Sequence, residues 1–284
     1  MFNYKKMQKI FKAKPDSFVQ RGFEKVNCGD LNYYFKDNGS NILAVAHLDS
    51  VEGATHFKVL KLPHRQILFS PVLDDRLGVY LITELLPRLG VQHDILLTEG
   101  EEQGRSTAVH FDPRKEYNWM YSFDRTGDDA VMYEYGTPEL EKTLHSYGWK
   151  VDRGIFSDIC FLEHLGCKGF NFGTYYYNYH SLDAWADLIG LEKGVERFLK
   201  FYEDHKKVKM EHSPLSTSVG QGSSLDFENF YRCYMCDSYV NIDELWGAYS
   251  SKDAEDMLWE ELCEDCYFDH LYDAFEPLDK KYAM

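Results

Sequence analysis

The sequence predicts an α/β fold: a mostly parallel central sheet with helices on both faces, an α/β/α sandwich, followed by a small C-terminal module. Three observations predict it. Short continuous apolar runs alternate with helix-length segments through most of the 284 residues. Strands buried on both faces read as such unbroken runs, and the alternation with helices implies parallel pairing. Acidic and imidazole residues gather where those runs end, which is where open α/β sheets build their sites.

The elements follow in order. Residues 4–13 place Tyr4, Met7, Ile10 and Phe11 on one helical face. Residues 24–36 read as strands around a Gly29-Asp30 turn, and Asn41 to Ala46 as a buried strand that delivers His47. Residues 56–61 and 65–70 alternate like a hairpin, and Asp75 to Leu86 reads as a helix. Asp94 to Thr98, Trp119 to Phe123 and Lys168 to Phe172 are further strands, with a helix at 138–147 between the last two. A long helix is expected over Leu182–Lys206. Residues 211–226, rich in Ser and Gly, read as a flexible linker. The expected organisation is a main domain over 1–210, that linker, and a small acidic module over 227–284.

Hydrophobic content of 44% and aromatic content of 16% supply a full core. A net charge of −16 and a pI near 5.1 argue against a nucleic-acid or anionic membrane partner. No apolar run approaches the roughly 18 residues of a membrane span. The first residues, Met1-Phe2-Asn3-Tyr4-Lys5-Lys6, lack a signal-peptide stretch. A soluble cytoplasmic protein is expected.

Of seven cysteines, Cys28, Cys160 and Cys167 are scattered and read as small buried hydrophobes. The others form two Cys-x-x-Cys pairs, Cys233 with Cys236 and Cys263 with Cys266, with 26 residues between the pairs (263 − 236 − 1). In a leaderless chain such pairs favour metal over disulfides. They predict a closed four-sulfur structural zinc site, which would supply folding energy to a segment with little core of its own. Protein contact, self-association or a wall over the active site are the roles left open for this acidic module.

Five islands carry the chemistry: His47-Leu48-Asp49, Asp74-Asp75, Glu101-Glu102, Asp124 and His180. Each alone has a simpler explanation: a surface His–Asp pair, an acidic helix N-cap, a solvated turn, a packed histidine. Together they supply what a two-metal hydrolase site needs, including a shared carboxylate and a general base. Asp49 is expected behind the second ring nitrogen of His47, fixing its tautomer. The tyrosines at 175–179 are expected to offer a donor to an oxyanion, unless they are packing.

The local sequences resemble those of the co-catalytic zinc exopeptidases, which include leucyl-type aminopeptidases, glutamate carboxypeptidases and tetrahedral aminopeptidases. Ala46-His47-Leu48-Asp49-Ser50 resembles their first-ligand strand end, and Leu73-Asp74-Asp75-Arg76-Leu77-Gly78 their bridging-aspartate motif, where the peptide between the aspartates is often cis. Gly100-Glu101-Glu102-Gln103-Gly104 resembles the base-and-ligand pair, Phe123-Asp124 the next ligand and His180-Ser181 the last. Ser157-Asp158 with Phe161 is similar to a further motif of the aminopeptidase branch. The resemblance spans roughly residues 25–205 and does not cover the tail.

It implies two co-catalytic divalent metals, zinc or else manganese or cobalt. Asp74 bridges them, His47 and Asp124 complete one, and Glu102 and His180 complete the other. Glu101 is the general base, Asp49 supports His47, and Asp158, Tyr175, Tyr176 and Tyr177 are weaker substrate-binding candidates. His47 and Asp74 are 27 positions apart (74 − 47), and Asp124 and His180 are 56 apart (180 − 124). Both spacings are too short for the domains that larger branches insert there, so the resemblance is to the compact type. It implies hydrolysis of a peptide or small amide, with an aminopeptidase first, an N-acyl amino acid deacylase second, and an inactive binding protein on the same fold third.

Overall fold

The computed structural model describes residues 1–154 and 156–213 in full and, beyond them, the backbone of four short strands between residues 230 and 262. Contacts divide the chain into two units, Met1–Thr217 and Ser218–Met284.

In the first unit the strands are β1 (Glu24–Cys28), β2 (Leu31–Lys36), β3 (Ile42–His47), β4 (Lys58–Leu62), β5 (Arg65–Phe69), β6 (Asp94–Thr98), β7 (Trp119–Arg125), β8 (Ala130–Val131), β9 (Val151–Asp152), β10 (Lys168–Gly173), β11 (Tyr176–Tyr177) and β12 (Trp185–Asp187). The helices are α1 (Tyr4–Phe11), α2 (Leu73–Tyr80), α3 (Leu86–Arg88), α4 (Pro138–Ser146) and α5 (Leu188–His205). A π-helical turn, Leu81–Leu85, joins α2 to α3, so the expected helix at 75–86 is continuous but irregular.

Eight strands form one sheet in the order β1-β2-β6-β3-β7-β10-β8-β9. Its centre, β6-β3-β7-β10, is parallel, as the unbroken apolar runs predict. Every residue of β3 and of β6 is buried. One edge is the antiparallel pair β1-β2 around the expected Gly29-Asp30 turn. The other is completed by β8, antiparallel to β10, and by β9.

Both faces are covered. Trp119, Tyr121 and Phe123 alternate along one face of β7 and meet Phe198 of α5 at ring-centroid distances of 6.4, 4.7 and 5.0 Å. Phe170 and Phe172 of β10 extend that layer to Phe201. Large rings at these separations bury much apolar surface and prefer tilted or edge contacts. On the opposite face a 3₁₀ helix, Asp158–Leu165, lies over β3, β7 and β10, and Tyr135 ties into it by donating to the carbonyl of Ile159.

Two features depart from the expected layout. The hairpin β4-β5 does not end in itself. With β12 and β11 it forms a second, wholly antiparallel sheet in the order β11-β12-β5-β4. The long C-terminal helix therefore starts at Leu188 rather than Leu182, because Trp185–Asp187 pair with β5 and Asp187 then caps α5 by accepting from the Ile189 amide. At the other end, Glu211 and His212 are not linker. Glu211 bridges to Cys167, and the His212 amide donates to the Gly166 carbonyl at 3.0 Å.

In the second unit Phe230–Arg232 (β13) pairs antiparallel with Tyr239–Asn241 (β14), and Trp246–Ser250 (β15) with Leu258–Leu262 (β16). Cys233, Cys236, Cys263 and Cys266 lie outside the described residues. Among the described residues no helix is long and apolar enough to cross a membrane.

Candidate metal centre

Each island arrives from a strand end or a tight turn. His47 is the last residue of β3 and fully buried. After β6, Gly100 takes a left-handed φ of 94° and a 3₁₀ turn presents Glu101 and Glu102. Asp124 lies near the end of β7. Asp74 and His180 come from the second sheet: Asp74 follows β5 at the start of α2, and His180 sits in the loop between β11 and β12. The sequence placed all five at the ends of one sheet, and the structure draws two of them from another.

Asp74 is the centre of the arrangement. Its Oδ1 is 3.1 Å from His47 Nε2, and its Oδ2 is 3.5 Å from His180 Nε2. On the His47 side, Asp124 Oδ1 is 3.4 Å and Glu101 Oε2 3.8 Å from the same Nε2. On the His180 side, Glu102 Oε2 is 2.9 Å from Nε2. Two overlapping sets of donor atoms within 4.8 Å could hold a cation: His47, Asp74 and Glu102, and His47, Glu101 and Asp124. The pair distances partition the donors more sharply, with Asp74 shared between a His47–Asp124 side and a His180–Glu102 side.

The supports are also specific. His47 Nδ1 donates to the Asp49 carbonyl at 3.1 Å, with the Asp49 carboxylate at 3.6 Å, so Nε2 is the nitrogen turned to the cluster. The other Asp49 oxygen accepts from the Glu102 amide at 3.1 Å, tying the two loops together. The Asp74–Asp75 peptide is cis, as the resemblance implies. Asp75 itself follows the simpler explanation. Its Oδ1 accepts the Gly78 amide at 3.0 Å, an N-cap in all but position. Gly78 is required there, because a Cβ would lie 2.1 Å from that oxygen and 2.5 Å from the Phe123 carbonyl.

The weaker candidates separate. Asp158 is buried and both its oxygens accept hydroxyls, from Thr98 and Ser106. It is an anchor beneath the cluster and not an open substrate group. The Tyr175 ring fills the space over Gly190 and Gly194 of α5, and Tyr177 stacks on Trp185. Only Tyr176 faces the site, where its buried hydroxyl reaches the Asp74 carboxylate. The sequence reading gave no site role to Thr98, Ser106 or Asn171: Thr98 and Asn171 are each a small polar residue within a largely apolar strand, whereas Ser106 lies in a polar stretch that carries no such signal.

The electrostatics of these groups suit a cation. Burial, and then the neighbouring Asp124, push Asp75 well above the usual carboxylate range. Burial, with Asp124, Asp158 and Asp74 nearby, does the same to Glu101. Burial and Asp74 push Asp124 up to about 8. Burial opposes charge on His47 and His180, but the carboxylates prevail. Glu101 and Asp124 raise His47 well above its ordinary value, and Asp74 and Glu102 raise His180 to about 10. Asp74 is correspondingly lowered by the two histidines. Asp49 Oδ1 and Asp75 Oδ2 are buried without a hydrogen-bond partner. The crowded acids favour positive charge among them, and their oxygen and nitrogen donors suit a divalent cation.

No family model and no curated relative matches the sequence. Solved structures do match. Aminopeptidase PepT from Bacillus cereus aligns with a TM-score of 0.51 at 12% identity, over 72% of this chain and 97% of that one. A tripeptidase from Staphylococcus aureus gives 0.53 at 10% identity, over 73% and 100%. The TET aminopeptidase from a marine-sediment Thaumarchaeota archaeon gives 0.50 at 11% identity, over 72% and 96%. At such identities the likeness establishes a shared fold, the α/β/α arrangement expected from the sequence.

The raised groups set the sign of a pH effect. A ligand whose pKa is raised carries a proton at neutral pH, and a cation must displace it. Metal binding should therefore release protons, and affinity should rise from about pH 6 to about pH 9. Calorimetry in buffers of different ionisation enthalpy measures the release; binding that weakens as pH rises would contradict it.

Proposed function

We propose that the chain is a metal-dependent hydrolase of peptide and related amide bonds, an aminopeptidase-type exopeptidase with a two-zinc centre. The observation that carries this is the placement of Asp74, whose two oxygens face two different histidines, each with a further carboxylate at its side. Asp74 would be shared between the two ions, with His47 and Asp124 completing one set of ligands and Glu102 and His180 the other. The likeness in fold to proteins described as aminopeptidases and a tripeptidase supports the choice of substrate bond.

When bound, the cations supply Lewis acidity toward a scissile carbonyl and toward water. The rest belongs to the chain. Glu101 borders the cluster with its side chain partly accessible, 3.8 Å from His47 Nε2. It takes the proton of the attacking water on a carboxylate oxygen and delivers it to the leaving amine. Asp49 holds His47 in the tautomer that presents Nε2, and through the Glu102 amide holds the turn that carries the base. The buried Tyr176 hydroxyl lies beside Asp74, where it is placed to donate to that carboxylate.

For the tail, we retain a structural zinc held by Cys233, Cys236, Cys263 and Cys266. β13 ends one residue before Cys233 and β16 one residue before Cys263, and the two strands are neighbours. Two Cys-x-x-Cys pairs are the usual ligand pattern of a four-thiolate zinc site.

Glu101→Gln should keep both co-catalytic ions and lose turnover by about 100-fold to 10,000-fold on aminoacyl substrates. Metal analysis beside a panel of aminoacyl and N-acyl substrates checks it. Near-normal turnover in the loaded variant removes Glu101 as the base, and preference for N-acyl substrates makes the protein a deacylase.

Asp74→Ala should empty both co-catalytic positions together, since one carboxylate serves both. Retention of both ions at normal affinity places the bridge elsewhere.

Cys233→Ser should release one further zinc from the tail while the two-metal centre stays loaded, because thiolate and carboxylate–imidazole sites differ in softness. Zinc counts per chain, falling from three to two, are the expected result.

A further inference from the structure

Asp124 occupies a break in the sheet. Along β7 the pairing with β3 stops at Ser122. On the other side β10 runs in register through Asn171 opposite Ser122 and resumes with Gly173 opposite Arg125. Three residue steps on β7 thus face two on β10, a bulge of the kind found beside functional sites. At such a break the backbone amide and carbonyl lose their ladder partners, and buried groups of that kind need replacements.

One side chain replaces both. Asn171 Oδ1 accepts the Asp124 amide at 2.9 Å, and Asn171 Nδ2 donates to the Asp124 carbonyl at 3.0 Å. The carboxamide stands in for a strand at the residue where the ladder fails. Its orientation is fixed, since a flipped amide would point NH₂ at an N–H donor. Nδ2 also donates to the Tyr133 hydroxyl at 2.9 Å, and that hydroxyl donates to the Phe156 carbonyl at 3.2 Å. Ser157 Oγ, 3.5 Å from Nδ2, reaches Asp124 Oδ2 at the same distance. Asn171 is 1% exposed, so water cannot take over its bonds.

We propose that Asn171 is a positioning residue of the metal centre: it sets where the Asp124 carboxylate lies by clamping the Asp124 backbone at the β7–β10 bulge. This rests on the two-metal reading above for its catalytic meaning, though not for the clamp itself. Only one side of the centre depends on it. His180 and Glu102 hang from other elements, so a fault at Asn171 falls on the His47–Asp124 position. Residues that orient metal ligands in this way typically cost 10-fold to 100-fold in affinity when removed.

The test uses the full chain with Asn171→Ala and Tyr133→Phe, and two readouts. The first is manganese(II) titration, because that ion prefers carboxylate and imidazole over tail thiolates. In Asn171→Ala one of two binding steps should weaken about 10-fold to 100-fold while the other holds. Tyr133→Phe should weaken the same step, by less. The second is hydrogen exchange of the Asp124 amide in metal-free protein, whose protection should fall on the order of tenfold in Asn171→Ala. Both steps unchanged, or both weakened equally in a folded variant, overturn the proposal, as does unchanged exchange. If Asn171→Ala fails to fold, Tyr133→Phe decides on the titration: selective weakening supports the clamp and wild-type binding overturns it. If the wild-type protein binds no manganese, the two-metal reading fails instead, and the exchange of Asp124 alone decides the clamp.

Discussion

A buried carboxylate held between two histidines is the constraint on which this molecule is organised. Asp74 has a histidine nitrogen within 3.5 Å of each of its oxygens, and the carboxylates of Glu101, Asp124 and Glu102 face the same two histidines. Unit charges about 4 Å apart at an effective dielectric near 20 interact by about 4 kcal/mol. So many acids cannot all ionise there without positive charge. The raised values of His47 and His180 and of the buried carboxyls Asp75, Glu101 and Asp124 express that demand. The same sites suit divalent cations, which concentrate more charge in the same space. The suitability of these donors for a cation and the mutual repulsion of the acids have one electrostatic cause.

Positioning comes from the backbone more than from side-chain contacts. His47 is the last rung of a fully buried central strand, so it cannot move without moving the core. Asp49 binds the loop after β3 to the turn after β6 through one carboxylate. Asp158 joins Thr98 and Ser106 beneath that turn. Asn171 holds the end of β7. Each support fastens a strand end to its neighbour at the point where the regular ladder stops. That is where a site can form and also where the sheet is weakest.

The second sheet gives the site its far wall. Strand β5 leads into Asp74, and the β11–β12 loop carries His180, so one antiparallel sheet supplies the bridging carboxylate and the histidine beyond it. Tyr175, Asn178 and His180 in this stretch all take positive φ. The tyrosine-rich loop divides its labour by alternation: Tyr176 turns inward to Asp74, while Tyr175 and Tyr177 turn outward onto α5 and Trp185.

The sequence by itself determined the central architecture and named the acidic and imidazole residues that the fold then gathers. Unbroken apolar runs such as Ile42–Ala46 and Asp94–Thr98 can only be strands buried on both faces, so the parallel centre of the sheet was legible. The five islands were legible because their residue types are costly to bury and recur at run ends. What only the tertiary structure decided depends on contacts far apart in the chain. Trp185–Asp187 look helical beside α5 but pair with β5, more than 100 residues earlier, and no local preference records that partner. Asp75 and Asp158 look as catalytic as Asp74 in a string of letters. Their roles as cap and anchor appear only when Gly78, Thr98 and Ser106 are seen to satisfy them. Asn171 reads as a blemish in a strand until the bulge opposite it leaves Asp124 without ladder partners. Composition and pattern fix which groups must be paired; the path of the backbone fixes with whom.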